Sequence, residues 1–426
     1  MKKEATGPRI LVSKQFSMID ETIDIEIIGL KPFEEVVIEA KRLSSTSNPF
    51  YLQSYATYIA NDKGEVNLAS QEPINGTYFG VEPMGLFWSL ERIDDDSEIT
   101  ASTSEVHSLS PQSVRLSLFI NNEEIHQVTI QRLWQAPHIT RESIRVEGLV
   151  GTFFYEKNAT KPGIIVVGGS EGGIYEYPST LLAAHGFSVL ALGYFGVDGL
   201  PKSALNIPLE YIKTAIDWMK KQDEVADGWL GMHGTSKGAE LALLAASLFS
   251  DIRAVVALNG FAVPFSAIVP WTDDEFLPPA WQYKGKPLPY LSPNNPVEVA
   301  LACKEMWNEK KGNPLGMWYA ALASNPTEVK NAIIPVEKIN GSILLIGGDA
   351  DEVDTVGLSK LAVDRIKEKH SNNVCEQLIY ANAGHAISIP NIVQSFVQGT
   401  KHDTNFASKD SWEKTIAFFH NSYKKV

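Results

Sequence analysis

The stretch 227–247 restricts the fold of this chain more than any other part of the sequence. An apolar run that begins at Trp229 leads directly into Gly234-Thr235-Ser236-Lys237-Gly238, and helically spaced apolar residues follow from Leu241. A strand, Gly-x-Ser-x-Gly and a helix in succession are typical of a nucleophile elbow, the tight turn that exposes a serine hydroxyl. The two glycines suit a turn in which flanking side chains would clash. The alternative is a glycine-rich turn with an inactive serine, because a bare GxSxG pattern is common.

The pattern of apolar residues divides the chain into two parts. Within 1–135, about seven alternating apolar stretches are separated by turn signals, which predicts an N-terminal β-sandwich domain. We expect a polar linker at 136–143 and a catalytic domain at 144–426. The stretches predicted as strands in the first domain are 23–30, 35–43, 51–60, 65–69, 85–93, 113–121 and 126–134.

After the linker, strands alternate with helices. An antiparallel pair is predicted at 142–148 and 150–156, and near-continuous apolar strands with amphipathic helices between them follow. This alternation predicts an α/β fold with a mostly parallel, doubly wound sheet that helices cover on both faces. The later strands are predicted at 163–167, 187–192, 229–233, 254–258, 342–346 and 375–380. The helices are predicted at 178–185, 208–221, 237–249, 358–369 and 411–423.

Two residues that follow later strands complete a candidate catalytic set. Asp351 comes after the strand 342–346, and His385 comes after the strand 375–380. Sheets of this kind place their active sites at the carboxyl ends of the strands. The chain order Ser236, acid, histidine is the order that follows a nucleophile elbow.

The chemistry requires these residue types. A serine hydroxyl is a weak nucleophile, so His385 would accept the Ser236 proton and later return it to the leaving group, while a carboxylate orients the imidazole. Asp349 competes with Asp351 for the last role, and the Gly348-x-x-Asp351 spacing favours Asp351. The alternative for His385 is an ordinary surface-loop histidine.

An oxyanion hole requires two backbone N–H groups. One is expected from Lys237, the residue after the nucleophile, and the other from the loop 168–173, in which four of six residues are glycine. The second donor is Ser170 or Glu171. A phosphate cradle is the rival interpretation of this loop, but no Lys-Ser/Thr follows it. We expect the Lys237 side chain to be a solvated charge at the start of the helix.

A long excursion between the later strands is predicted at about 261–338. Bulky apolar groups there suggest a lid or wall for an apolar substrate, and ordinary helix packing is the equal alternative. The aromatic residues concerned are Phe261, Phe265, Trp271, Phe276, Trp281, Tyr283, Tyr290, Trp307, Trp318 and Tyr319.

Composition excludes several other classes of protein. The net charge of −14 over 426 residues argues against non-specific nucleic-acid binding. No apolar run approaches the roughly 20 residues that span a bilayer, and no apolar segment follows the N-terminal lysines as in a secretory signal. Cys303 and Cys375 are expected to be reduced thiols, which suits a cytoplasmic protein. No cofactor or metal motif is present, so neither a cofactor nor a metal is expected.

Several motifs resemble those of one family. They lie at 80–90 (GVEPMGLFWSL), 181–187 (LLAAHGF), 191–195 (ALGYF), 234–241 (GTSKGAEL) and 283–285 (YKG). Together they are similar to the type I acyl-CoA thioesterases and the bile acid-CoA:amino acid N-acyltransferases, which are members of the α/β-hydrolase superfamily. The resemblance extends over nearly the whole chain.

The resemblance implies a catalytic triad at Ser236, Asp351 and His385 that hydrolyses acyl-CoA to free acid and CoA through an acyl-enzyme. The loop 347–352 departs slightly from the family pattern, which leaves Asp349 as an alternative acid. The amino-acid-conjugating members characteristically use a cysteine nucleophile, so Ser236 favours water as the acceptor. The alternatives are an acyl-CoA:amino acid N-acyltransferase and a carboxylesterase or peptidase on the same triad.

Overall fold

The computed structural model describes residues 7–44, 49–93, 109–267, 279–293, 295–309, 311–312, 314–370, 374–394 and 398–424. The chain divides into one unit formed by Met1–Ala136 with Ile389–Ser395, and another formed by Pro137–Ser388 with Phe396–Val426. The prediction that all residues after 143 belong to the catalytic domain is therefore wrong for Ile389–Ser395. Within the first unit, Val393 packs against the core, and the Asn391 side chain donates a hydrogen bond to the Ile19 carbonyl.

The first unit is built from two β-sheets. A small sheet has the order β1-β3-β6, and a larger one has the order β2-β10-β9-β4-β5-β7, with β8 paired to β5. Apolar residues of both sheets contribute to one core, in which Ile27 of the small sheet and Leu116 of the large sheet are fully buried. The strands are β1 Arg9–Val12, β2 Phe16–Met18, β3 Ile25–Ile28, β4 Glu35–Leu43, β5 Tyr51–Ile59, β6 Val66–Asn67, β7 Asn75–Gly76, β8 Glu91–Arg92, β9 Gln112–Ile120 and β10 Glu123–Leu133.

One predicted strand of the first unit is wrong. The stretch 85–93 begins with a short helix, α1 Gly85–Trp88, and only Glu91–Arg92 is a strand. All four helical residues are buried, so no exposed polar face reveals the helical period in the sequence. A continuous apolar run of this length has the same appearance in a buried strand and a buried helix. In addition, a Cβ on Gly85 would overlap the Tyr78 ring, so a larger residue at position 85 would have to displace that ring.

The second unit contains an eight-stranded sheet of order β11-β12-β14-β13-β16-β17-β20-β21. All neighbouring pairs from β14 to β21 are parallel, and β12 is antiparallel to both β11 and β14. The strands are β11 Ile139–Val146, β12 Leu149–Glu156, β13 Lys161–Val167, β14 Ser188–Gly193, β15 Ile207–Pro208, β16 Val225–Thr235, β17 Ile252–Leu258, β18 Trp281–Tyr283, β19 Lys286–Pro287, β20 Ser342–Gly348 and β21 Cys375–Tyr380. The predicted α/β-hydrolase architecture is confirmed.

The helices of this unit cover the sheet. Residues of α3, α4 and α8 share one core cluster with the central strands, and Phe419 of α9 packs edge-on against Phe187 and Trp229. The helices are α2 Glu176–Ala184, α3 Glu210–Met219, α4 Lys237–Leu248, α5 Pro296–Glu309, α6 Pro314–Leu322, α7 Pro326–Ala332, α8 Thr355–Glu368 and α9 Lys401–Tyr423, with a 3-10 helix at Val336–Lys338.

Two boundaries differ from the sequence predictions. The segment 136–143 was predicted as a linker, but most of it belongs to β11, which pairs along its whole length with β12. Its alternating polar residues reflect an edge strand with an exposed face rather than a connection. Helix α9 begins well before residue 411, because the Thr400 side chain accepts a hydrogen bond from the Asp403 N–H and caps its first turn.

The described part of the excursion at 261–338 supports the packing alternative. Phe261, Phe265 and Trp281 are fully buried, and the first two rings pack edge to face with centroids 4.9 Å apart. Ordinary helix and loop packing therefore accounts for these three aromatic side chains. The positions that lie outside the described residues, or whose side chains do, are Trp271, Phe276, Trp307 and Tyr319.

Two further sequence expectations concern the membrane and the cysteines. Among the described residues, no helix is both long and apolar enough to cross a bilayer. Cys303 and Cys375 are both free, as predicted. Cys303 is buried, and Cys375 is partly buried.

Candidate active site

The elbow is formed where β16 ends and α4 begins. Ser236 lies between Thr235, the last residue of β16, and Lys237, the first of α4, with a positive φ of 52°. A positive φ is strained for a serine and marks functional turns. A Cβ on Gly234 would overlap the Gly238 carbonyl, and a Cβ on Gly238 would overlap the neighbouring loop. Both glycines are therefore required by the close approach of backbone segments.

The structure brings the three predicted catalytic side chains together. His385 Nε2 lies 3.1 Å from Ser236 Oγ, and His385 Nδ1 lies 2.8 Å from Asp351 Oδ2. Strand register explains this convergence, since Thr235 is aligned with Leu258 of β17 and Leu258 is aligned with Ile346 of β20. The serine and the acid thus follow strands that end at the same edge of the sheet.

The two candidate acids, Asp351 and Asp349, differ in their hydrogen-bond partners. The Asp351 side chain is buried, and its carboxylate accepts hydrogen bonds from Thr355 Oγ1 at 2.6 Å and from the Val353 N–H at 3.1 Å, in addition to the histidine contact. Asp349 instead accepts a hydrogen bond from the Asn382 N–H at 2.7 Å. These bonds leave Asp351 as the carboxylate that contacts His385.

The glycine-rich loop packs directly against the elbow. A Cβ on Gly169 would lie 3.2 Å from the Ser236 Cβ, so the backbone approaches the serine closely. The Tyr194 hydroxyl donates to the Gly168 carbonyl at 2.9 Å, and Glu171 Oε1 accepts from the Gly169 N–H at 3.1 Å. The amide of Gly169 is therefore occupied, and the next two amides, of Ser170 and Glu171, stay the candidates for the second oxyanion donor.

The Lys237 side chain is not solvated, and that prediction is wrong. It is buried and forms an ion pair with Glu240 at 2.7 Å, and its Nζ also donates to the Phe265 carbonyl at 2.9 Å. Glu240 Oε2 accepts a further bond from Trp281 Nε1 at 3.1 Å. Burial lowers the pKa of Lys237 and raises the pKa of Glu240, because each charge has left water.

Sequence reasoning missed two polar residues of this region. Glu240 is an acid on a helix whose residues from Lys237 to Ser247 are all buried, and a charge at such a position is itself a signal of a buried partner. Asn259 follows β17, and its Nδ2 donates to the carbonyls of His385 and Ile387. The local sequence gives no sign of the Asn259 contacts, because both partner residues are more than 120 positions away along the chain.

A second histidine lies on the strand that leads to the elbow. His233 is buried in β16, and its Nδ1 has no hydrogen-bond partner among the described residues. Burial lowers the pKa of His233 to about 4, so the ring is neutral at pH 7. Within the described residues, no group of three or more His, Cys, Asp or Glu side chains is placed to hold a metal ion.

Comparison with known proteins identifies the family. The family model for the acyl-CoA thioester hydrolase/BAAT N-terminal region matches residues 20–146, and the model for the BAAT/acyl-CoA thioester hydrolase C terminal matches residues 207–425. Acyl-coenzyme A amino acid N-acyltransferase 2 of Mus musculus is 31% identical over 393 residues, which cover 90% of this chain and 87% of that protein.

Relatives of both activities cover most of the chain. Acyl-coenzyme A thioesterase 1 of Homo sapiens is 28% identical over 426 residues, covering 94% of this chain and 93% of its own length. Bile acid-CoA:amino acid N-acyltransferase of Homo sapiens is 28% identical over 392 residues, covering 88% and 85%. Since the two family models together match more than half of the sequence, the chain belongs to the acyl-CoA thioester hydrolase/BAAT family.

Proposed function

We propose that this chain is a serine hydrolase that cleaves acyl-CoA thioesters to the free acid and CoA through an acyl-enzyme on Ser236. The observation that carries the proposal is a chain of two hydrogen-bond contacts. His385 Nε2 lies 3.1 Å from Ser236 Oγ, and His385 Nδ1 lies 2.8 Å from Asp351 Oδ2. A chain of contacts of this kind supplies a nucleophile, a general base and a group that holds the imidazole in the required tautomer.

The proposed reaction has two halves. First, Ser236 Oγ attacks the thioester carbonyl carbon while His385 Nε2 takes the hydroxyl proton; the carbon–sulfur bond then breaks, and the CoA sulfur leaves with that proton. Second, His385 takes a proton from a water molecule, whose oxygen attacks the acyl ester; the carbon–oxygen bond to Ser236 breaks, and the proton returns to the serine. The products are one carboxylic acid and one CoA thiol.

Each tetrahedral intermediate carries a negative oxygen that requires donors. The Lys237 N–H, at the N-terminal end of α4, is the first proposed donor, and Ser170 or Glu171 supplies the second. The helix dipole adds to the first donor, because the N-terminus of a helix favours negative charge.

The proposed substrate class rests on the relatives. Thioesterases and N-acyltransferases in this family carry acyl-coenzyme A or an acid-CoA in their names, so the acyl-CoA donor is common to both groups. Transfer to an amino acid is the second candidate, because an N-acyltransferase is 31% identical over most of the chain. The family resemblance implies that a serine at position 236 favours hydrolysis, since the amino-acid-conjugating members characteristically use a cysteine nucleophile.

A single set of assays separates these activities. Acyl-CoAs of varied chain length are assayed by the CoA thiol released, with and without glycine or taurine, beside simple aryl esters. We expect thiol and free acid in equal amounts, no conjugate, and kcat/KM higher for acyl-CoA than for the esters. Conjugate formation would instead establish the transferase, and faster aryl ester turnover would establish a carboxylesterase.

The matching variant test uses two serines of the same region. Ser236→Ala is expected to lower kcat by roughly 10⁴-fold or more, as removal of a triad member does. Ser247→Ala is the control, because Ser247 lies on α4 and its hydroxyl donates to the Leu244 carbonyl of the same helix. Substantial turnover by Ser236→Ala would refute the proposed nucleophile.

We also propose that the protein is cytoplasmic. It is supported by the two free thiols, Cys303 and Cys375, which suit a reducing compartment.

A further inference from the structure

We propose that Asn259 is a positioning residue that holds the catalytic histidine in register with the nucleophile, an inference that rests on the function proposed above. Asn259 directly follows β17, and its side-chain Nδ2 donates hydrogen bonds to the His385 carbonyl at 2.9 Å and to the Ile387 carbonyl at 2.7 Å. The side chain is buried, with 1% of the residue exposed. The side chain therefore binds two carbonyls of the loop, that of His385 itself and that of Ile387 two positions later.

The orientation of this amide is fixed by its partners. Both partners are carbonyl oxygens, which accept hydrogen bonds only, so the NH₂ group must face them. The Oδ1 atom is consequently buried with no hydrogen-bond partner among the described residues. An unpartnered buried acceptor is costly and uncommon in folded proteins. The two carbonyl contacts therefore determine the orientation of the amide, although its oxygen gains no bond from that orientation.

The backbone of Asn259 has a left-handed conformation. Its φ of 49° lies in the left-handed region, which asparagine tolerates better than most residues. The next residue is confined, because a Cβ on Gly260 would overlap Ala239 on the elbow helix. The packing of Gly260 against Ala239 therefore fixes the course of the chain directly after Asn259.

The main chain at this position ties the other two members of the triad together. The Ser236 N–H donates to the Leu258 carbonyl at 2.8 Å, and the Asn259 N–H donates to the Ile346 carbonyl at 2.8 Å. One peptide unit therefore bonds both the elbow and the strand that leads to the acid. The Asn259 side chain extends this frame to the third member, His385.

The histidine loop depends on contacts from its neighbours. His385 lies outside any strand or helix, after β21 has ended. On the donor side of the loop, the Gly384 and Ser388 N–H groups bond hydroxyls of α9, Thr404 Oγ1 at 3.1 Å and Ser408 Oγ at 3.0 Å. On the acceptor side, the contacts come from Asn259. Loss of that side chain would free the loop carbonyls and let the imidazole move away from Ser236.

Asn259→Gly is the appropriate perturbation, because glycine adopts a left-handed backbone without strain. A misplacement of about 1 Å in catalytic groups can cost roughly 100-fold in rate, so we expect kcat for acyl-CoA to fall about 10- to 100-fold. KM should change by less than about 3-fold, because the loop holds the base rather than the substrate. Labelling of Ser236 by a fluorophosphonate should slow in parallel, since it uses the same base.

Asn391→Gly provides a matched control. Asn391 is also buried, has a φ of 62° and donates its amide to a backbone carbonyl, that of Ile19 in the first unit. This control should lower Tm without changing kcat. If Asn259→Gly lowers only Tm and keeps kcat within about 2-fold, Asn259 is structural and the inference is overturned.

Asn259→Asp gives a second test, a pH profile measured beside circular dichroism at each pH, because an ionised carboxylate buried at this position would also destabilise the fold. An ionised carboxylate at this position would face two carbonyl oxygens, whereas the protonated acid can donate to one of them. The introduced acid should therefore be active when protonated and lose activity as pH rises through its raised pKa. We expect an alkaline descending limb in the kcat/KM profile that the parent lacks; an unchanged profile would overturn the inference. Failure of the parent itself to hydrolyse acyl-CoA or to be labelled at Ser236 would instead refute the proposed function.

Discussion

The buried ion pair beside Ser236 leads to a quantitative prediction about stability. Lys237 and Glu240 are 1% and 0% exposed at the side chain, and their charged atoms are 2.7 Å apart. Glu240→Gln keeps the shape and one acceptor for Trp281 but leaves the Lys237 ammonium without a counter-charge. Loss of one partner of a buried pair costs about 3–5 kcal/mol. Because Lys237 keeps its bond to the Phe265 carbonyl, we expect the lower end, about 3 kcal/mol.

Thermal unfolding followed by circular dichroism measures this loss. For a domain of this size, a change of about 3 kcal/mol corresponds to a fall of roughly 6–12 °C in Tm. The matched control is Asp364→Asn, which removes the acid of the Lys360–Asp364 pair, with side chains 60% and 48% exposed. That change should cost about 0.5 kcal/mol or less, since exposed pairs contribute little.

A double substitution tests the cause of the loss. Lys237→Met combined with Glu240→Gln leaves no buried charge, so the double variant should be more stable than Glu240→Gln alone. If Glu240→Gln lowers Tm no more than Asp364→Asn does, or if the double variant is less stable than the single one, the argument from buried charge is wrong.

Three further predictions concern other described residues. Arg132→Met should destabilise the first unit by about 3 kcal/mol, because Arg132 donates to Ser17 Oγ and to two backbone carbonyls; hydrogen exchange of β2 should accelerate. The lowered pKa of His233 means that its contribution to stability is present above pH 6.5 and lost as pH falls toward 4, by up to about 3 kcal/mol. Urea unfolding of His233→Leu should lack this component between pH 7 and pH 4.5, and an equal acid loss in both proteins would contradict it. Asp351→Asn should lower kcat by roughly 10⁴-fold through the wrong imidazole tautomer, whereas Asp349→Asn should leave it within a few-fold; equal losses would contradict the choice of acid.

The sheet of the second unit could be predicted from sequence because of its physics. Parallel strands buried on both faces are near-continuous apolar runs, and β14, for example, is buried at every position. The predicted strand 375–380 matches β21, and the elbow helix predicted at 237–249 ends at Leu248. Because such strands end at one edge, their order along the chain predicted that the residues following them would lie close together.

Other features depended on distant contacts. The helix Gly85–Trp88 was missed because burial on all sides removes the periodicity that distinguishes helix from strand. The Lys237 side chain was expected in water because lysine is seldom fully buried, and its burial depends on Glu240 and on the Phe265 carbonyl. The role inferred for Asn259 requires carbonyls that only the folded chain brings to it.

The choice between Asp349 and Asp351 could be predicted from the sequence only in part. Their spacing from Gly348 favoured Asp351 but did not exclude the neighbour. The folded turn separates the two carboxylates, one toward His385 and the other toward the Asn382 N–H. A preference of this kind is decided by the direction of two side chains within one turn, which composition and periodicity do not record.

The most direct test of the central claim is detection of the acyl-enzyme itself. The protein is mixed with acyl-CoA, quenched in acid within the first turnover, digested and analysed by mass spectrometry, with Ser236→Ala treated identically. We predict that the peptide containing Ser236 gains the mass of the acyl group in the parent and that the variant shows no acylated peptide. An acyl group on another residue, or CoA release by the parent at full rate without any acylated peptide, would contradict the proposed mechanism.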